Sequence, residues 1–195
     1  MLTLARSEFI LGGQKSGKSR RAESLAAAWL AQAPTQRAVL IATAQAHDAE
    51  MRARIARHQR DRAERVPGLT TREAPHDLAT AIVESGGAET LRVVDCLTLW
   101  LTQLRMPFAP DSVSNRPSVG AEQSEVAMLI EAVRNCPGPI VLVGNEIGLG
   151  VVPLGAEVRA FVDALGLLNQ SVAAVCQRVT LMVAGQPLAV KGATP

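Results

Sequence analysis

The chain has 195 residues, of which 48% are hydrophobic and 19% charged, a composition typical of a globular protein with a sizeable core. The formal net charge is +2 and aromatic residues are 3% of the chain, which argues against a nucleic-acid-binding surface. The three widely spaced cysteines favour a reducing compartment over a disulfide framework or a zinc site. We see no signal peptide and no apolar run long enough to cross a bilayer. These features predict a cytoplasmic enzyme without a membrane span.

The first predicted elements are a strand, a glycine-rich loop and a helix. Residues 8–11 form a short apolar run, and residues 20–30 are rich in helix formers. Between them lies the segment Gly12-Gly13-Gln14-Lys15-Ser16-Gly17-Lys18-Ser19. It fits the P-loop pattern G-x-x-x-x-G-K-[ST], whose backbone amides and helix N-terminus hold phosphates. In this pattern Lys18 reaches the β- and γ-phosphates and the Ser19 hydroxyl ligates Mg²⁺. The alternative without a function is a surface glycine turn that contains a lysine by chance.

The next predicted elements alternate between strand and helix. Residues 37–43 read as a buried strand, residues 48–65 as a strongly charged helix, and residues 70–73 as a short strand. Asp77 is a candidate cap for a helix over residues 78–83. Residues 91–95 form a strand that ends in Asp95. An aspartate in this place holds magnesium in P-loop proteins, but it also suits a helix N-cap, and one residue can serve both purposes.

The second half of the chain continues the alternation. The pattern predicts a helix over residues 97–104, a loop over 106–120, a helix over 122–134 and a buried strand over 140–143. That strand leads into a polar, glycine-rich turn over 144–150, where ligands of open α/β sheets bind. Two helices, 155–165 and 170–176, and a hairpin of 179–184 with 188–190 follow. The whole predicts one α/β domain over residues 1–195, with a mostly parallel sheet, flanking helices and a C-terminal antiparallel hairpin.

His58 is the second candidate for chemistry. It lies on the charged helix, with Arg54 one turn before it and Asp61 and Arg62 one turn after it. A histidine among guanidinium groups can attack phosphorus while arginine stabilises the phosphate oxygens, and Asp61 can fix the imidazole tautomer. A histidine that merely packs beside Ile55 on a helix face is the more common situation. Spacing alone therefore leaves both interpretations open.

Six stretches, spread nearly end to end, carry a resemblance to a known family. They are the loop 12–19, Ile41-Ala42-Thr43-Ala44, the helix segment 48–58, Val94-Asp95-Cys96-Leu97-Thr98-Leu99-Trp100, Asn145-Glu146-Ile147-Gly148-Leu149-Gly150-Val151-Val152-Pro153, and Gly166-Leu167-Leu168-Asn169-Gln170. The chain resembles the bifunctional adenosylcobinamide kinase / adenosylcobinamide-phosphate guanylyltransferase family of cobalamin biosynthesis. Many families share the P-loop, whereas the helix that ends in His58 and the Asn-Glu-x-Gly-x-Gly-x-x-Pro stretch are much more specific.

The resemblance implies roles for particular residues. His58 matches the histidine that accepts GMP, which reverses the preference that spacing alone gives. The other positions that match nucleotide-contacting residues are Ala42, Thr43, Ala44, Gln59, Arg60, Asp61, Arg62, Glu73 and Asp95. The resemblance also implies a RecA-like P-loop fold, Mg²⁺ with ATP and GTP as substrates, adenosylcobinamide and its phosphate as the other substrates, and a homotrimer.

The chain departs from the family pattern at several positions. Family members commonly have Ala-Arg where this loop has Gln14-Lys15, so the charge is kept at Lys15. Many have asparagine in place of Gln103 and arginine in place of Leu167 and Ser171, which puts corrinoid affinity or one of the two activities in question. Two rivals stay open: a small-molecule P-loop kinase with an inert His58, and a GTP-responsive switch whose loop at 106–120 orders with nucleotide.

Overall fold

The computed structural model describes residues 3–46, 48–105 and 119–192, without the side chains of Arg54 and Val119. Strands and helices alternate along the chain. The elements are β1 (Ser7–Gly12), α1 (Lys18–Leu30), β2 (Arg37–Ala42), α2 (Ala49–Arg65), β3 (Leu69–Glu73), α3 (Leu78–Glu84), β4 (Thr90–Asp95), α4 (Leu97–Arg105), α5 (Val119–Arg134), β5 (Ile140–Val143), α6 (Ala156–Val175), β6 (Arg178–Val183) and β7 (Gln186–Lys191).

The strands form one seven-stranded sheet in the order β3-β2-β4-β5-β1-β6-β7. All neighbouring pairs are parallel except β6 and β7, which form an antiparallel hairpin. The predicted α/β class, mostly parallel sheet and C-terminal hairpin are therefore confirmed. Strand β5, late in the chain, lies between the strand that leads into the P-loop and the strand that ends in Asp95. All three deliver their carboxyl ends to the same edge of the sheet.

Helices cover the two faces of the sheet, and a separate apolar core lies on each. One core joins the sheet to the helices that follow β3, β4 and β5, and Phe9, Trp100 and Leu129 are completely buried in it. The other packs α1 against the sheet through Leu25, with Ile10 on the strand beneath it. Central parallel strands buried on both faces explain why the sequence shows short continuous apolar runs rather than alternation.

Several predicted boundaries change in the structure. The two helices predicted over 155–165 and 170–176 are wrong, because the single helix α6 runs through Gly166 and Gln170. Its buried side chains recur at Leu165, Leu168 and Val172, so packing against the core continues across the glycine. Residues 119–120, predicted as loop, belong to α5, while the rest of that predicted loop, 106–118, lies outside the described residues. Asp77 does stand at the start of α3, but its side chain makes no capping hydrogen bond.

Helix α6 is also long and apolar enough to cross a membrane by length and composition, and it is the one such helix in the described part of the chain. Its core-facing residues Leu165 and Val172 are almost completely buried against the rest of the protein. One such helix is weak evidence for a membrane span, because core helices of soluble proteins share this length and composition.

Candidate nucleotide and guanylyl-transfer site

The glycine-rich loop connects β1 to α1 with a backbone that its sequence permits. Gly12 and Gly17 have φ values of 150° and 103°, in a region that residues with a side chain rarely adopt. A Cβ on Gly12 would lie 2.6 Å from both the Met182 carbonyl oxygen and the Ser16 hydroxyl. The Ser16 Oγ is itself buried with no hydrogen-bond partner among the described residues. The loop therefore requires glycine at position 12. The unpaired Ser16 hydroxyl is a buried donor that a phosphate bound in the loop would satisfy, as expected of an anion site.

Three side chains meet where the loop enters α1. Lys18 is the first residue of α1, and its Nζ donates to the Gly13 carbonyl at 2.6 Å. The Ser19 hydroxyl donates to Asp95 Oδ2 at 2.8 Å, which joins the P-loop to the end of β4 across the width of β5. An ammonium group, a hydroxyl and a carboxylate thus lie at one edge of the sheet.

The Ser19–Asp95 pair fits a magnesium ion. Mg²⁺ prefers oxygen ligands and is usually held by one or two protein groups together with substrate phosphates and water. In the described part of the chain, no group of three or more His, Cys, Asp or Glu side chains forms a protein-only metal cage. The hydroxyl and carboxylate oxygens of this pair are of the type that Mg²⁺ takes alongside nucleotide phosphates.

The strand register brings three predicted nucleotide-binding positions into one row. Ala42 on β2 pairs with Glu73 on β3 and with Asp95 on β4. Ala44 follows two residues later and is half-buried. Thr43 lies between them but is completely buried, so its hydroxyl does not face the cleft.

Thr43 instead holds the turn that follows Asp95. Its hydroxyl donates to the Cys96 carbonyl at 2.8 Å and accepts from the Cys96 amide at 2.9 Å. The Gln103 amide group on α4 donates to the Thr43 carbonyl. Burial, together with the negative charge of Asp95, raises the pKa of the Cys96 thiol to about 11. Thr43 therefore supports the Asp95 position through the backbone, while Gln103, a departure from the family pattern, supports Thr43.

His58 lies on α2, apart from this edge. Its side chain is exposed and makes no hydrogen bond or ion pair with any residue that the structure describes, so no contact with Asp61 fixes its tautomer. Gln59 and Arg60 are exposed beside it. The part of Arg54 that would contribute charge lies outside the described residues. The imidazole is therefore accessible, as a nucleophile must be.

Arg62, one turn beyond His58, turns back toward the site. It is half-buried, and one of its nitrogens donates to the Thr71 hydroxyl at 3.3 Å. Burial lowers the pKa of its guanidinium group, while the carboxylates of Glu23 and Asp95 act in the opposite direction. Arg62 thus lies within electrostatic range of the predicted magnesium ligand, and a helix rise of about 1.5 Å per residue puts His58 about 6 Å further along the axis.

The segment after β5 was predicted as a ligand-binding turn, but sequence reasoning assigned no role to its individual residues. The Gly144 amide donates to the Ile10 carbonyl at 3.0 Å, and the Glu146 amide donates to the Gly12 carbonyl at 3.2 Å. The Asn145 amide donates to the Thr98 hydroxyl at 2.8 Å. The segment therefore connects the P-loop to the start of α4, and its polar composition directly after a buried strand was the available signal.

The comparisons with known proteins agree with this geometry. Residues 8–190 match the family described as cobinamide kinase / cobinamide phosphate guanyltransferase. The chain is 45% identical over 186 residues to the bifunctional adenosylcobalamin biosynthesis protein CobP of Pseudomonas aeruginosa, an alignment that covers 95% of this chain and 97% of the relative. It is 33% and 34% identical over 186 residues to the proteins named bifunctional adenosylcobalamin biosynthesis protein CobU of Escherichia coli and Salmonella typhimurium, covering 93% of this chain and 98% of each relative. The chain therefore belongs to the cobinamide kinase / cobinamide phosphate guanyltransferase family.

Proposed function

We propose that this protein phosphorylates adenosylcobinamide with ATP or GTP and then transfers GMP from GTP to the product, giving adenosylcobinamide-GDP. The observation that carries the proposal is the pairing of a P-loop, closed by the Ser19–Asp95 hydrogen bond, with an accessible histidine on the neighbouring helix. The family match over residues 8–190 supports both halves of the activity. The proposed site is cytoplasmic, uses no nucleic acid and needs no membrane span.

In the phosphoryl-transfer step the protein positions charge rather than forming a bond. The backbone amides of residues 12–19 and the ammonium group of Lys18 hold the phosphates, and Ser19 and Asp95 hold Mg²⁺. When bound, the ion neutralises charge that develops on the transferring phosphoryl group. The aminopropanol hydroxyl of the corrinoid forms a bond to the γ-phosphorus, and the bond to the bridging oxygen breaks, leaving its electron pair on the nucleoside diphosphate.

In the guanylyl-transfer step the protein supplies a nucleophile. His58 forms a bond to the α-phosphorus of GTP, and pyrophosphate leaves with the electron pair of the broken P–O bond. The phosphate of the corrinoid then attacks the resulting phosphoramidate, which returns His58 to its free form. Arg62 and the exposed Arg60 supply positive charge close to the histidine. Ala42, Ala44, Gln59, Asp61 and Glu73 complete the nucleotide-binding set that we propose, whereas the buried Thr43, which the family pattern also includes, supports the Asp95 turn from behind.

The test is incubation of the protein with α-labelled GTP and Mg²⁺, followed by denaturing electrophoresis. We expect an acid-labile label on the wild type and none on His58→Asn, because asparagine keeps approximate size and polarity but cannot form the P–N bond. Phosphorylation of cobinamide should survive in His58→Asn, since that step uses no enzyme nucleophile. His76→Asn is the matched control, because His76 is an exposed histidine whose ring contacts Gln45 and to which the proposed mechanism gives no role.

Two results would favour the rivals. A wild type that phosphorylates a small molecule but takes no label would be a plain kinase with an inert His58. A wild type that binds GTP, takes no label and phosphorylates nothing would fit the nucleotide switch. Label that persists in His58→Asn would remove His58 from the mechanism.

We further propose a homotrimer, with active sites near the subunit boundaries. Support comes from the run that follows the Asn145–Glu146 turn, where apolar side chains face solvent. Leu149, Val151 and Leu154 are 81%, 95% and 99% exposed. Apolar side chains gathered in one exposed segment are typical of a protein interface. Light scattering that gives the mass of a single chain at working concentration would contradict this assembly.

A further inference from the structure

We propose that Glu146 is the catalytic base of the phosphoryl-transfer step: its carboxylate takes the proton from the acceptor hydroxyl as that oxygen bonds to the γ-phosphorus. The inference deepens the proposed function and rests on it. The Ser19–Asp95 pair accounts for the metal and Lys18 for the phosphates, but neither removes the hydroxyl proton.

Strand order favours Glu146 over the other acidic residues at this edge. Neighbouring strands lie about 4.8 Å apart, so β5 is about 5 Å from both the P-loop strand and the Asp95 strand. Glu73, at the end of β3, is four strands from β1, or about 19 Å. Asp95 accepts the Ser19 hydroxyl and is the proposed magnesium ligand, so its carboxylate already has a role in this step. Among the acidic residues that the structure describes at this edge, Glu146 is therefore the remaining carboxylate beside both halves of the phosphate site.

Backbone contacts fix the segment that carries Glu146. Its amide donates to Gly12 in the P-loop, and the preceding Asn145 amide donates to Thr98 at the start of α4. On the other side, the side-chain amide of Asn169, which is only 5% exposed, donates to the Asn145 carbonyl at 3.1 Å. The backbone of the segment is thus held from three elements, directly beside the P-loop.

The two oxygens of the Glu146 carboxylate differ in their hydrogen bonding. Its Oε1 accepts the Gly148 amide at 2.8 Å, whereas its Oε2 has no hydrogen bond to any residue in the described ranges. The side chain is partly exposed, so a hydroxyl group can reach it. One oxygen fixed by a backbone donor and one free to accept a proton is the arrangement that a general base needs.

The first variant is Glu146→Gln, because glutamine can still accept the Gly148 amide but cannot take the proton. We expect kcat for cobinamide phosphorylation to fall by about 10²-fold or more, with KM nearly unchanged. Labelling of His58 by α-labelled GTP, guanylyl transfer to preformed cobinamide phosphate and the melting temperature should stay as in the wild type. Glu89→Gln is the control, since Glu89 is an exposed carboxylate next to β4 at the opposite edge of the sheet.

The second pair of variants tests position rather than charge. A Cβ on Gly148 would lie 3.2 Å from Glu146 Oε1 and must displace the carboxylate slightly, whereas a Cβ on Gly150 meets nothing within 4 Å. We expect Gly148→Ala to lower the phosphorylation kcat by about tenfold, because sub-ångström misplacement of a reacting group is costly. Gly150→Ala should behave as the wild type.

Phosphorylation by Glu146→Gln within about threefold of the wild-type kcat would overturn the assignment and leave the proposed function intact. Parallel loss of phosphorylation, His58 labelling and melting temperature in Glu146→Gln would also overturn it, because that pattern indicates a structural role. A wild type that phosphorylates no cobinamide would overturn the proposed function, and the role of Glu146 with it.

Discussion

Helices α1 and α2 lie side by side, yet the protein holds them very differently. Six residues of α1 are buried, including Lys18, whereas no residue of α2 whose burial is described is fully buried. The side chain of Arg21 on α1 pairs with that of Glu8 at 2.8 Å, with 6% and 0% of the two side chains exposed. Helix α2 is fastened at its C-terminal end by Arg65, whose side chain is 42% exposed.

The difference in burial between α1 and α2 agrees with the proposed role of each helix in catalysis. Stabilising phosphate charge requires donors whose positions are fixed before the reaction. Helix α1 meets that need, because its first turn carries Lys18 and Ser19 and is itself held by the buried Arg21–Glu8 ion pair. A nucleophile that must reach GTP and then an incoming corrinoid phosphate needs access from solvent. Helix α2 provides access at His58 while Arg62 and Arg65 keep its end beside the site.

Removing the charge of Lys18 should produce the largest effect. We expect Lys18→Ala to lower phosphorylation by about 10³-fold and to weaken nucleotide binding, because the ammonium group is a preorganised donor at the phosphates. His58 labelling should fall with it, since both steps use the nucleotide held by the loop. Phosphorylation kinetics and nucleotide titration measure the two effects. Unchanged values in both would move the nucleotide site away from the P-loop.

Amide hydrogen exchange compares the two helices directly. The amides of Leu25 and Ala26 in α1 should exchange at least about 10²-fold more slowly than those of Ala56 and Arg57 in α2, because buried segments open only with much of the core. Mass spectrometry of peptic peptides resolves the two helices. Equal protection would show that α2 is as firmly held as α1 and that the two helices do not differ in this way.

The sequence predicted the elements better than their arrangement. Short apolar runs bounded by glycine and proline identified the strands, and the P-loop pattern identified the loop conformation that Gly12 and Gly17 adopt. The predicted strands 37–43, 70–73 and 91–95 also contain Ala42, Glu73 and Asp95 at or near their carboxyl ends, which the structure brings to one edge. In each case a local pattern carries the information, because period, chain direction and backbone freedom are local properties.

The arrangement of the later strands could not be predicted in the same way. The place of β5 between β1 and β4 depends on long-range pairing, and that place is what gives Glu146 its position. Gly166 indicated a helix break on local propensity, but burial of Leu165 and Leu168 carries α6 through it. The exposure of His58 also depends on tertiary packing, which the amphipathic pattern of α2 did not reveal.

Removing the Arg65–Glu23 ion pair, which joins α2 to α1, should produce the smallest effect. Arg65 Nε lies 2.8 Å from Glu23 Oε2, and the side chain of Glu23 is only 7% exposed. A partly exposed ion pair contributes about 1 kcal/mol or less, so we expect Arg65→Ala to slow His58 labelling by about fivefold. Phosphorylation should change by about twofold or less, because the Glu8–Arg21 pair still holds α1.

Arg52→Ala is the matched control for that variant, because Arg52 is an exposed arginine near the start of α2 whose backbone amide donates to Asp48. Arg52→Ala removes the same charge from the same helix but leaves the Arg65–Glu23 ion pair intact, so the rate of His58 labelling should equal that of the wild type. Equal losses of labelling in the two variants would assign the effect to net charge on α2. Equal losses of labelling and phosphorylation in Arg65→Ala would show that Glu23 transmits the change to α1. The interpretation of α2 as a helix held at its C-terminal end is supported only if Arg65→Ala slows His58 labelling, while phosphorylation in that variant and labelling in Arg52→Ala are nearly unchanged.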